Sequence, residues 1–240
     1  MLTSPPRRLY VAACIGALLG PRQLNAQSVP GLNGRLVRFA TDTMHITRIE
    51  RGRERPGGRA ISAVRGGAAG ALVLLYTYEV PGNAPRVTLT RLNRESLRPI
   101  EEIHDYGSGD TLIVRYSQEG AVATRHHGGA PLSYAPDTAA HGAFTSAALD
   151  LVFRALPLRD RYETELSVYF MPLNRTERIL VRVHGSQTLK TRSGTEVGCW
   201  RLEAQFPGRA VEQFWIAKKS RDLIRVLGHV SPDTLERYDR

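Results

Sequence analysis

The side chains most able to do chemistry in this chain are its histidines, a carboxylate pair, a lone thiol and two tryptophans. His126-His127 with His141 has the residue types of a zinc site, and zinc takes its ligands at fixed short spacing with others from elsewhere. Adjacent residues on a strand point to opposite faces, so His126 and His127 cannot easily share an ion. Glu101 and Glu102 fail as an acid–base pair for the same reason. Asp105 and Asp110 flank Gly107-Ser108-Gly109, which reads as turn chemistry. Cys199 lies in Val197-Gly198-Cys199-Trp200 with no histidine near it in sequence, so it reads as a buried apolar thiol and not a nucleophile. Ser146 reads as a helix cap, and no Gly-x-Ser-x-Gly elbow, phosphate loop or dinucleotide fingerprint is present. Asn174-Arg175-Thr176 spells a glycosylation acceptor. These readings point to no catalytic residues, no metal and no cofactor.

The aromatic residues point elsewhere. Trp200 and Trp215 fall on strands expected to pair, with Phe206, Phe214, Tyr169 and Phe170 close in the pattern. Leu166, Val168 and Phe170 alternate along one strand face. Trp200, Trp215, Leu166, Val168 and Phe170 are therefore the candidate lining of an apolar ligand site, with plain core packing as the competing reading. Phe214 and Trp215 must face opposite sides, so only one of them belongs to the interior.

The elements that must position these residues read as strand after strand. Leu36 to Thr47, Ala71 to Val80, Arg86 to Leu92, Pro99 to His104, Thr111 to Tyr116 and Ala121 to His126 are strand candidates in the first half. Glu165 to Met171, Arg178 to His184, Glu196 to Gln205, Ala210 to Ala217 and Leu223 to Val230 follow in the second. Ser186 to Thr191 continues or kinks its strand at Gly185. Residues 49–70, rich in glycine and arginine, read as a long flexible loop. One short helix is expected over 143–157, with Ala147, Ala148, Leu151, Val152, Ala155 and Leu156 at helical spacing and Pro157 as its stop. The expected fold is mainly β: one strongly curved antiparallel sheet of about ten strands, a closed or half-open barrel. A split near residue 143 into two β halves is the alternative.

The N-terminus reads as an export signal. Arg7 and Arg8 precede the apolar run Leu9 to Gly20, and Leu24-Asn25-Ala26 ends in a small residue, so cleavage after Ala26 is expected. Val11-Ala12-Ala13-Cys14 spells a lipidation site with too short an apolar run before it, and the paired arginines also allow a twin-arginine route. Residues 27–240 then form a single domain, periplasmic or secreted, without an apolar run long enough to span a bilayer as a helix. Removing residues 1–26 takes away Arg7, Arg8 and Arg22 and no acid, so the 33 basic residues become 30 against 23 acidic, a net +7. The local excess at Arg48, Arg51, Arg53, Arg55, Arg59 and Arg65 has no interleaved aromatics, so nucleic acid is not expected as a partner.

The Arg154-Ala155-Leu156-Pro157-Leu158 segment after the helix, the pair Phe214-Trp215-Ile216 and Leu223-Ile224-Arg225-Val226 joined by a basic turn, and Asn93-Arg94-Glu95-Ser96-Leu97-Arg98-Pro99 carry a resemblance. Over residues 85–230 the chain resembles a family of uncharacterised bacterial exported proteins, a domain of unknown function. The resemblance implies an envelope location and a barrel-like or half-barrel sheet, and brings no active site. More distantly, the layout is similar to the curved sheets of bacterial lipoprotein carriers, a likeness of fold that does not fix function. The expected partner is an apolar small molecule, a lipid or a lipidated protein, with an envelope protein met through a sheet edge or the arginine-rich loop as the alternative.

Overall fold

The computed structural model describes residues 28–240 except Pro232. The expected signal at 1–26, its cleavage point and Cys14 lie outside the described residues. The first half supplies β1 (Ala40–Glu50), β2 (Arg53–Gly66), β3 (Ala71–Glu79), β4 (Arg86–Asn93), β5 (Pro99–Asp105), β6 (Thr111–Ser117), β7 (Gly120–His126) and the two-residue β8 (Leu132–Ser133). The second supplies β9 (Phe144–Thr145), the helix α1 (Leu149–Ala155), β10 (Glu163–Phe170), β11 (Arg175–Lys190), β12 (Glu196–Gln205), β13 (Glu212–Ala217), β14 (Leu223–Ser231) and β15 (Thr234–Asp239). The sheet is mainly antiparallel and curved, with one short α-helix among the described residues, as the patterning implies.

The count is higher than expected. Fifteen strands, not about ten, lie in one sheet in the order β8-β7-β6-β5-β4-β3-β2-β1-β15-β14-β13-β12-β11-β10-β9. The additional strands are β2, β15 and the two-residue pieces β8 and β9. β1 and β15, the first and last strands, pair antiparallel in the middle of the sheet, from His45 opposite Asp239 to Glu50 opposite Thr234. The middle of the chain therefore forms both ends of the sheet. β9 lies parallel to β10, an exception in an otherwise antiparallel ladder.

β2 corrects the loop reading of 49–70. Arg53, Arg55, Arg59 and Arg65 are exposed while Ala60 and Val64 are buried, so the arginines are the solvent-exposed side chains of a long strand. Arg55 pairs with Glu50 and Arg59 with Glu79. Gly57 and Gly58 serve close approach. Register with β1 slips between Ile46 and Thr47, opposite Gly58 and Pro56. Gly58 has φ +124°, and a Cβ there would lie 2.0 Å from the Glu79 carbonyl oxygen.

The helix is also shorter than expected. α1 covers seven residues and follows a 3-10 turn over Ser146–Ala148. The hydroxyl that accepts the first free N–H of that turn belongs to Thr145, bonded by the Ala147 amide at 3.1 Å, and not to Ser146. α1 sits against the inner face of the sheet. Leu151, Val152, Phe153 and Ala155 are fully buried against Leu72, Leu74 and Leu92 from one half and Leu166, Ile179 and Leu202 from the other. Phe153 meets Phe214 edge-on at 4.8 Å between ring centres.

The two ends of the sheet are joined by side chains and by the chain between β8 and β9, not by a strand ladder. Asp137 exchanges both backbone hydrogen bonds with Ala121 of β7, at 2.9 and 3.0 Å. Its carboxylate accepts from the Thr176 hydroxyl of β11 at 2.7 Å. β10 is consequently buried on both faces. Leu166, Val168 and Phe170 join the main core, while Tyr169 packs with Leu112, Val114, Ala121 and Ala123 of β6 and β7.

Candidate functional site

The five candidate ligand-binding residues do not form one site. Leu166 and Val168 are fully buried in the core. Trp200 is half-buried against that core, with the Lys218 ammonium 4.1 Å above its ring centre. Trp215 lies on the opposite face of the sheet, in a separate cluster with Leu189, Cys199, Ala217 and Ile224, and its indole N–H donates to Gln187 Oε1 at 2.8 Å. Phe214, not Trp215, is the inward residue of that pair. Phe170 does line a cavity.

That cavity has a volume of about 580 Å³ and is predominantly apolar. It lies on the inner side of the curved sheet, beside α1, and residues from both halves of the chain line it. Phe170, Phe206, Phe214, Leu223 and Val226 form one wall. Ala147, Leu149 and Asp150 come from the 3-10 turn and the start of α1. The opposite wall is a polar row set by strand register: Ser62 on β2 pairs with Tyr76 on β3, Tyr76 with Thr88 on β4, and Thr88 with His104 on β5. Sequence reading missed this row because each strand contributes a single residue to it. The alternation of each strand is visible in the sequence, but the relative stagger that aligns four strands is not.

His104 is held at both ring nitrogens. Its Nε2 is 2.9 Å from Glu102 Oε2 and its Nδ1 is 3.2 Å from the Thr88 hydroxyl. Glu102 is fully buried and also accepts from the Tyr116 hydroxyl. With Nε2–H donating to Glu102, Nδ1 accepts from Thr88, and no ring nitrogen is left to take a proton from a nucleophile. The Glu101–Glu102 pair is split as expected, with Glu101 on the outer face beside Arg91 and Arg115.

Two other carboxyls face the cavity. Asp150, in the first turn of α1, has its proton affinity raised by burial, partly offset by the Arg154 charge and the Leu151 amide. Burial likewise raises Glu212, against the pull of Arg209. The Arg209 guanidinium stands 5.2 Å from the Phe170 ring centre. Tyr76 and Tyr238 are pushed upward by burial, with Asp150 adding to the shift at Tyr76, so both phenols remain protonated donors. The Tyr238 hydroxyl is already used, donating to Glu236 Oε2 at 2.9 Å. An apolar wall opposite a polar row and two half-buried carboxyls is suited to an amphiphile.

The remaining sequence candidates fall outside the cavity. His126 and His127 are exposed at the end of β7, and His127 Nδ1 is 3.7 Å from Asp110 Oδ1. His141 lies in the connection from β8 to β9. Among the described residues no group of three or more His, Cys, Asp or Glu is placed to hold a metal ion. Cys199 is buried, and burial pushes its thiol up to about 11, away from thiolate chemistry. Asn174 of the glycosylation spelling has both ends of its amide engaged, with Tyr169 and with the Ala135 carbonyl. A second hollow of about 600 Å³ lies where the sheet ends meet, but its Arg125 and Asp110 neutralise each other through a two-pronged contact. Among the described residues no helix is long and apolar enough to cross a membrane.

The chain is similar to a crystal structure of a beta-barrel-like protein of domain of unknown function DUF1849 from Brucella abortus. The identity is 11%, the match covers 83% of this chain and 94% of that one, and the TM-score is 0.45. No curated protein matches the chain. Residues 33–231, from the turn before β1 to the end of β14, match the model of a family described as protein of unknown function DUF3108, and the chain belongs to that family.

Proposed function

We propose that this protein is an exported, non-enzymatic component of the cell envelope that holds an apolar ligand, or the acyl chain of a lipidated partner, in the cavity beside α1. The observation that carries this reading is the cavity itself. Its volume of about 580 Å³ falls in the range of small-molecule sites, and its predominantly apolar wall faces a few fixed polar groups. The engagement of both His104 nitrogens supports a binding role over acid–base chemistry. Native purification followed by mass spectrometry identifies a co-purifying ligand, and an environment-sensitive apolar dye displaced by lipid extract measures occupancy. Saturable, displaceable binding is the expected result. Absence of saturable binding overturns the reading.

A second reading, an assembly module acting through a sheet edge, is favoured by the two-residue β8, which leaves Leu132 61% exposed at one end of the sheet. A stable complex with an envelope protein that is lost on Leu132→Asp, together with an empty cavity, is the outcome that selects it.

A further inference from the structure

The chemistry of the cavity's occupant can be narrowed, on the assumption that the cavity binds an amphiphile as proposed above. We infer that the occupant is an ammonium-headed amphiphile, its cationic head beside Asp150 and its apolar tail along Phe170, Phe206 and Phe214. Asp150 is half-buried, and the space it borders is the cavity. The charged groups lining that space are Asp150 and Glu212 against Arg209, with His104 already bound to Glu102 and Thr88. Arg209 stands over the Phe170 ring, on the wall away from the polar row. Arg154, one helical turn after Asp150, is directed at other partners. Its Nε donates to the Arg221 carbonyl at 2.8 Å and its Nη2 lies 3.6 Å from Asp222. The Arg154 charge only partly offsets the burial that disfavours the Asp150 carboxylate, so the group that best restores that charge is a cation brought by the occupant. Aromatic faces favour a cation for an independent reason, the negative face of the ring quadrupole, and Tyr76, near enough to Asp150 to feel its charge, lines the cavity with Tyr106 and Tyr238. A carboxylate head would meet Asp150 as a like charge.

Competition against a neutral polyene dye tests the inference on the purified protein. Dodecylamine, dodecanol and dodecanoate share one tail and differ in head, and each is used below its micelle concentration. Dodecylamine is expected to displace the dye at roughly tenfold lower concentration than dodecanol, the factor supplied by one hydrogen bond to a charged group, with dodecanoate weakest. In Asp150→Asn the amine should lose its advantage over the alcohol. A purely structural Asp150 at the helix start would not move this head-group order. Dodecanoate matching or beating dodecylamine, or amine preference surviving in Asp150→Asn, overturns the inference. Should the variant not fold, the order of the three heads on the unaltered protein decides alone. Dodecanol binding without head preference sinks only the cationic head, whereas failure of the dye and all three ligands sinks the binding reading as well.

Discussion

Asp222 ties together parts of the chain far apart in sequence. It accepts from Arg38 at 2.6 and 2.7 Å and from Arg240 at 2.9 Å, and it faces the almost fully buried Arg154 of α1. Burial is the largest single influence on Asp222 and opposes its charge, but the bonds from Arg38, Ser220 and Arg240 together outweigh it, and the carboxyl is held below its usual range. A depressed carboxyl stabilises the fold above its unfolded value, about 3.9, and that contribution is lost as pH falls through the folded value. Asp222→Asn leaves Arg154 buried without its carboxylate and should cost about 3–5 kcal/mol at neutral pH. Urea midpoints at pH 7 and pH 3 check this: the gap between variant and parent should shrink in acid, and an unchanged gap would show that the charge is not what matters. Trp215→Ala should cost about 3–5 kcal/mol, since the ring is buried in the outer cluster. His127→Ala should leave the urea midpoint within error, because its side chain is 69% exposed. Equal shifts for the two variants would contradict both placements.

At the scale of elements, legibility followed period. The face of β10 carrying Leu166, Val168 and Phe170 is readable because apolar and polar residues alternate there. The burial of Tyr169 on the other face is not, since its partners come from β6 and β7, far away in sequence. β2 is hidden because glycine and arginine mimic loop composition, although Arg59 and Arg65 share one face and Ala60, Ser62 and Val64 the other, as a strand requires. β15 is hidden because its polar residues outnumber its apolar ones, and pairing with β1 supplies what its own pattern lacks. Of the site, the aromatic wall was partly legible and the polar row was not. Glycine at the start of β7 gives an element-scale test. Gly120 has φ +119°, and a Cβ there would lie 2.2 Å from the Asp137 carbonyl oxygen, against the segment that bridges the sheet ends. Gly120→Ala should therefore destabilise by more than about 1 kcal/mol and expose residues 134–143 to protease. A variant as stable and as resistant as the parent would refute that close approach.

For the whole molecule, the space inside is not set by strand number alone. In a closed barrel interior room follows the number of strands, but here backbone pairing runs from β8 to β9 without joining them. The hollow of the curved sheet is instead shared between α1, which packs one part to full burial, and the cavity, which occupies the part bordered by the 3-10 turn before it. That division yields a test whose sign depends on the architecture. Ala147 lies on that turn and borders the cavity, and its backbone N–H already bonds Thr145 Oγ1, a contact that a larger side chain does not disturb. If the region were close-packed core, Ala147→Phe would overpack it and cost about 1–3 kcal/mol. With open space beside it, the ring enters the cavity, gains apolar burial and leaves the fold as stable or more so. The same ring competes with any occupant, so dye binding should weaken as the urea midpoint holds or rises. Those two readouts, moving in opposite directions in one variant, distinguish a cavity built to be filled by a ligand from a core filled by the chain itself.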